Sequence, residues 1–339
     1  MRATLFGVLP ALLLSAAAGG GQTTGPVHDF FRQHVGLSDK EIASIADGVA
    51  VAKVISADDR ATIEIFGAVF VNATPERYAA RATDVEALAT LPGYLGAGRL
   101  GTPPTLADFA DLELDPDDVK DLRDCRPGDC QIQLPASSIE EFRTAVDWSA
   151  PDATARATAL ARQMALDAVV AYQRGGNAAL GTYRDKKNPV RVADQFARLV
   201  ETFASLPVYF PDFERYLLDY PSSPLPGAEN TFYWETIDFG LKPTFRIIHA
   251  ITHRPADRSD VTIVALKQLY SSHYFEAAID LSVCVPVPDR QGFYLITLKA
   301  STQAGLTGLK GAIVRKVAVG RTRSSLEQGL AAIKTELEK

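Results

Sequence analysis

The sequence predicts an α+β protein: a curved antiparallel sheet holding one long C-terminal helix, interrupted by a large, mostly helical insertion. Three observations predict it. Five strand-length segments (230–239, 243–253, 260–270, 272–287 and 292–304), most of them separated by short turn-rich gaps, read as an antiparallel meander. From about Leu309 to Glu338 the apolar residues recur at helical spacing. Leu309, Ile313 and Val317 form a first stripe, and Leu326, Leu330, Ile333 and Leu337 a second. Between 92 and 228 the apolar period is mostly that of helices.

The elements follow in chain order. Arg2, an apolar core from Leu5 to Leu14 and the small residues Ala16-Ala17-Ala18 have the form of a secretory signal peptide, set at residues 1–20. That core is shorter than the roughly 20 residues that span a bilayer, and no later segment is long and apolar enough to do so. The expectation is a secreted or periplasmic protein with no integral membrane segment once the signal is removed. Residues 21–91 then supply a helix, a hairpin and a second helix. Ser38 and Glu41 form a capping box for the first helix, which Gly48 ends. Residues 49–56 and 62–71 are rich in β-branched residues and flank Asp58-Asp59. Thr74-Pro75 opens a helix expected to reach about Leu91, after which Pro92 and the glycines up to Gly101 read as a loop.

The insertion, 92–228, carries a second capping-box pattern at Ser138 and Glu141. Leu160, Met164 and Ala168 form one stripe of a helix over 152–173, stopped by Gly175-Gly176. Val192, Phe196, Leu199 and Phe203 mark a core-facing helix over 190–206, and a short helix precedes Pro221. In the last part, 229–339, the clearest strand is the fourth. There His273, Phe275, Ala277, Ile279, Leu281, Val283 and Val285 fall on one face, with Tyr274, Glu276, Asp280 and Ser282 on the other.

Three cysteines are too few for a disulfide scaffold. Cys125 and Cys130 bracket the turn Pro127-Gly128, and an oxidising compartment favours a bridge between them. So short a loop gives an entropic gain of about 2 kcal/mol. A redox pair or half of a zinc site are the other uses of such a spacing. Cys284, in a strand, is expected to be a buried free thiol.

Composition narrows the function. The 339 residues are 47% apolar and carry 35 Lys+Arg against 41 Asp+Glu, a net charge of −6. An acidic chain of this kind argues against a nucleic-acid partner. Neither a hydrolase elbow nor a Walker loop occurs, and no histidine pair has zinc spacing. His249 and His253 share a strand face but stand about 13 Å apart at ~3.3 Å per residue. Gly96, Gly98 and Gly101 make a formal G-x-G-x-x-G, but no strand precedes it and no βαβ unit surrounds it. The acidic run from Asp111 to Asp129 lacks the glycine and closing glutamate of a calcium loop. No metal or cofactor is expected.

This order, with strand 62–71 running into Thr74-Pro75-Glu76 and its helix, and with terminal helix 309–338, resembles the START-like (SRPBCC, helix-grip) superfamily. The likeness covers roughly 48–91 and 229–339; the insertion departs from it. It implies a cavity between the curved sheet and the last helix. From that cavity comes the main expectation: an exported, non-catalytic protein that binds a lipid or another apolar small molecule. The ligand-binding candidates are Tyr233, Arg246, Lys267, His273, Phe275, Ile313 and Val317. Lys267 shares a face with Ala265 and Leu269 and is expected to need a carboxylate, with Glu235, Glu276 and Asp280 as candidates. Two alternatives remain: a cavity enzyme of the polyketide cyclase type with His273 as acid/base, and an envelope interaction protein whose insert binds a protein partner.

Overall fold

A computed structural model describes residues 26–55, 61–239, 242–288, 290–303 and 308–339, with side chains from 308 to 318 left out. The expected signal peptide, the Asp58-Asp59 turn and the side chains of Leu309, Ile313 and Val317 therefore lie outside the described residues.

The chain begins with helices α1 (Pro26–Gln33) and α2 (Asp39–Ala46), the latter closed by the reciprocal Ser38–Glu41 box. Strands β1 (Val51–Ile55) and β2 (Thr62–Val71) pair antiparallel. Helix α3 (Pro75–Ala82) starts at Thr74, as the sequence implies, but stops early. Asp84 accepts from the Ala87 amide and caps a separate short helix, α4 (Val85–Leu88), so the single helix expected to Leu91 is two. The glycine-rich stretch read as a loop contains an edge strand, β3 (Tyr94–Arg99). Its glycines have a packing reason. A methyl group on Gly96 would touch the Trp234 ring, and one on Gly98 would overlap the indole. The indole N–H donates to the Asp108 carbonyl at 2.8 Å.

The insertion supplies α5 (Pro116–Asp124), α6 (Ala136–Ala145) and α7 (Ala153–Gly175). The Ser138–Glu141 pattern is not a cap here. The N-cap is Pro135, three residues earlier, which puts Ser138 inside the helix. A two-residue ladder, β4 (Thr182–Tyr183) with β5 (Val190–Arg191), leads to α8 (Val192–Thr202), α9 (Leu206–Tyr209) and α10 (Pro211–Asp219). The meander is β6 (Glu229–Ile237), β7 (Thr244–His253), β8 (Thr262–Ser271), β9 (Phe275–Pro286) and β10 (Phe293–Gln303). Helix α11 (Gly308–Leu337) ends the chain.

These strands form one eight-stranded antiparallel sheet, in the order β1-β2-β10-β9-β8-β7-β6-β3. Helices cover both of its faces. On one face α1, α2, α8 and α10 pack on Phe66, Phe70, Ile279, Leu281 and Ile296. Further along that face, α7 packs on Phe232, Trp234, Ile247 and Leu269. On the opposite face Leu326, Leu330 and Leu337 of α11 join Ile63, Ile65, Val69 and Leu295, together with Tyr78 of α3. Because both faces are covered, the even positions of β9 are not all wet. Ser282 and the free thiol Cys284 are buried under α3, where the Tyr78 hydroxyl donates to Ser282 Oγ at 2.7 Å.

Gly67 decides how closely α11 approaches. A Cβ there would fall 2.8 Å from methyl carbons of Leu326 and Leu330, so the helix lies directly on the strand. Among the described residues no helix is long and apolar enough to cross a membrane.

The insertion has its own small core. Cys125 and Cys130 are bonded to each other and lie buried with Leu122, Ile132, Ile139, Phe142 and Ala157. Gly128 takes φ +91, and the Asp129 amide donates to the Arg126 carbonyl, the turn that Pro127-Gly128 predicts.

Candidate functional site

The cavity follows from how the insertion meets the sheet. In β8, Leu269 is an extra residue: Tyr270 pairs with Ile247 and Gln268 with Ile248. This bulge turns both Leu269 and Tyr270 toward the insertion. Phe245 and Ile247 of β7 and Thr236 of β6 complete the floor. The roof is Leu122 of α5, Phe142 of α6, Met164, Ala165, Ala168 and Tyr172 of α7, and Ile132, Leu134 and Tyr183. Between them lies a cavity of about 390 Å³. Met164 and Ala168, two members of the stripe the sequence singles out, line this space rather than a closed core.

Polar links at one end hold the roof over the floor. The Gln133 amide donates to the Ser272 carbonyl at 2.8 Å, and the Ser271 amide donates to Tyr183 Oη at 3.2 Å. Tyr274 adopts φ +63, which ends the strand alternation there and places His273 in a turn rather than on the apolar face of β9. His273 is buried. Its Nε2 faces the two Asp118 carboxylate oxygens at 2.9 and 3.0 Å, and its Nδ1 faces the Gln131 carbonyl at 3.2 Å. Both ring nitrogens are thus engaged, and the group this pair presents at the cavity wall is Asp118. Lys242 reaches the same carboxylate at 3.5 Å and also pairs with Asp121.

The remaining candidates are spread over both faces of the sheet. Lys267 is fully buried on the face covered by α7 and α8, with its Nζ 4.0 Å from the Phe196 ring centre and 5.0 Å from that of Tyr172. It donates to Asn177 Oδ1 and, at 3.4 Å, to the Leu217 carbonyl. Among the described residues no carboxylate partners it. Glu235 pairs with Arg246 and Asp280 with Lys299. Burial without a counter-charge pushes the Lys267 amine well below its ordinary range. Its register partner His249 is also pushed down, first by burial and then by Lys267. The Tyr172 hydroxyl lies 3.0 Å from His249 Nδ1, and His249 Nε2 lies 2.7 Å from Asn230 Oδ1, so this polar chain is satisfied internally.

Arg246, Glu235 and Phe275 sit together away from the cavity, with the Arg246 guanidinium 6.0 Å from the Phe275 ring centre. Tyr233 is buried with Val85, Ile248 and Ala250. None of these residues lines the cavity. The lining residues that sequence reasoning missed are those of α5 and α6 and the pair Leu269-Tyr270. A bulge leaves no mark in hydrophobic alternation, so nothing in the sequence points to that pair.

Among the described residues no group of three or more His, Cys, Asp or Glu is placed to hold a metal ion. No family model matches the chain, and no curated protein matches it in sequence.

Proposed function

We propose that the protein binds an apolar small molecule or lipid, without transforming it, in the cavity between the insertion and strands β6–β8. The observation that carries this reading is the cavity itself, about 390 Å³ and walled by Leu122, Ile132, Phe142, Met164, Ile247 and Leu269. Ligand sites of this size and lining take apolar guests. The interface differs from the one expected beneath the terminal helix, where Leu326 and Leu330 rest on Gly67. The disulfide favours an exported setting, secreted or periplasmic, where an apolar molecule needs a carrier because water excludes it.

The test is uptake of the neutral apolar fluorophore N-phenyl-1-naphthylamine by the purified chain and by Ala168→Trp. Ala168 is an exposed position in the cavity wall, so a large side chain there plugs the site without disturbing the core. Binding should fall at least tenfold in the variant while its melting curve stays the same. No uptake, or uptake unchanged by the plug, overturns the proposal.

One observation favours a second reading, an acid–base enzyme in the manner of the polyketide cyclases. The Asp118 carboxylate stands at the cavity wall, oriented by His273. In that case Asp118, not His273, would handle the proton. Asp118→Asn would then abolish turnover while leaving fluorophore uptake intact.

A further inference from the structure

The charge on the cavity wall narrows the class of ligand. Among the described residues its lining includes five carboxylates (Glu113, Asp115, Asp118, Glu141 and Asp167) and no lysine, arginine or histidine. Two of the five have partners: Glu113 pairs with Arg162 at 2.8 Å, and Asp118 lies 3.5 Å from the Lys242 ammonium and 2.9 Å from His273 Nε2. Glu141 on α6 and Asp167 on α7 enter no ion pair among the described residues; Asp167 only accepts from Gln163 at 2.9 Å. Aromatic side chains line the same space, among them Phe142, Tyr183, Phe245 and Tyr270. Carboxylates beside low-dielectric walls focus a negative potential, and ring faces attract cations by their quadrupole. An anionic head group would meet repulsion from these carboxylates and find no basic side chain among the described lining residues.

We propose that the ligand is an organic cation: an apolar chain or ring system carrying an ammonium or a similar positive group. The apolar part lies on Ile247, Leu269 and Met164, and the charge sits toward Glu141 and Asp167. This rests on the reading of the cavity as a site for apolar ligands and adds the sign of the head group.

The experiment is titration calorimetry of the purified chain with three probes of equal chain length at pH 7: decylamine (as its ammonium), decanol and decanoate. The ammonium should bind at least tenfold more tightly than decanoate, with decanol between them, and the gap should shrink in 1 M salt. The double variant Glu141→Gln/Asp167→Asn should weaken ammonium binding severalfold and leave decanol binding as it was. Equal or tighter binding of decanoate overturns the cation proposal and leaves the apolar-site reading standing. An unchanged ammonium affinity in the double variant has the same effect. If none of the three probes binds, both fail.

Discussion

Two of the helical covers on this sheet do opposite things. Over β1 and β2, α11 is seated by Leu326 and Leu330 on the bare backbone of Gly67, and nothing separates helix from strand. Over β6–β8, the insertion meets Phe245, Ile247, Leu269 and Tyr270 and stands off far enough to leave a cavity. The fastenings differ as well. Helix α11 is held from Val319 to Leu337 by apolar contact, with Lys334 donating to the Phe70 carbonyl at 3.1 Å and Arg81–Glu336 at 2.6 Å as an outer tie. The insertion is tied at one end by backbone links and by the His273–Asp118 pair. Small residues at a contact allow a solid core, whereas large rings and polar ties at the margin prop a space open.

The contrast can be broken first on the solid side. Leu330→Ala removes a fully buried side chain from a close-packed contact and should cost about 3 kcal/mol in urea denaturation. A cost below about 1 kcal/mol would mean the helix is not seated as described. β2 also buries Glu64, and burial pushes its carboxyl up to about 7. The folded protein therefore holds that proton where the unfolded chain has released it. The contribution of Glu64 to stability should be fully present below about pH 4.5, be lost as pH rises to about 7, and stay level beyond, a change of up to about 3 kcal/mol. Glu64→Gln should flatten that decline, and an unaltered pH profile would argue against burial of the charge.

On the propped side the effects are smaller. Replacing Cys125 and Cys130 together by serine releases a short loop and should cost about 2 kcal/mol. Thiol counting on denatured, unreduced protein should find one free thiol, and three would remove the bridge from the account. Met164→Ala, which only enlarges an existing space, should cost under about 1 kcal/mol. A loss as large as that of Leu330→Ala would mean the cavity closes in solution.

What the sequence made legible was what local period encodes. Strands β6–β10, α8 with Val192, Phe196 and Leu199 buried, and the terminal helix all lie where alternation or helical spacing sets them. The Cys125–Cys130 bridge followed from a turn between two close thiols. What escaped depends on distant partners. Gly96 and Gly98 read as loop because glycine is a poor strand former. They belong to a strand because Trp234, far along the chain, needs the room. A lysine on an apolar strand face implies a carboxylate, but the partners of Lys267 are the Asn177 side-chain oxygen and a main-chain carbonyl, groups with no charge signature. The cavity was least legible of all. An apolar stripe such as Met164 and Ala168 tells which side of a helix is greasy, not whether anything fills the gap opposite.

Cys284 puts a clock inside the molecule. Its sulfur is sealed beneath α3, and burial pushes the thiol well above its ordinary range, so alkylating reagents must wait for that layer to lift. The labelling rate of this one atom measures how often the α3 side of the sheet breathes, without any engineered probe. If a guest enters on the opposite side and slows that labelling, the two faces are mechanically linked; if the rate holds, each face opens on its own schedule.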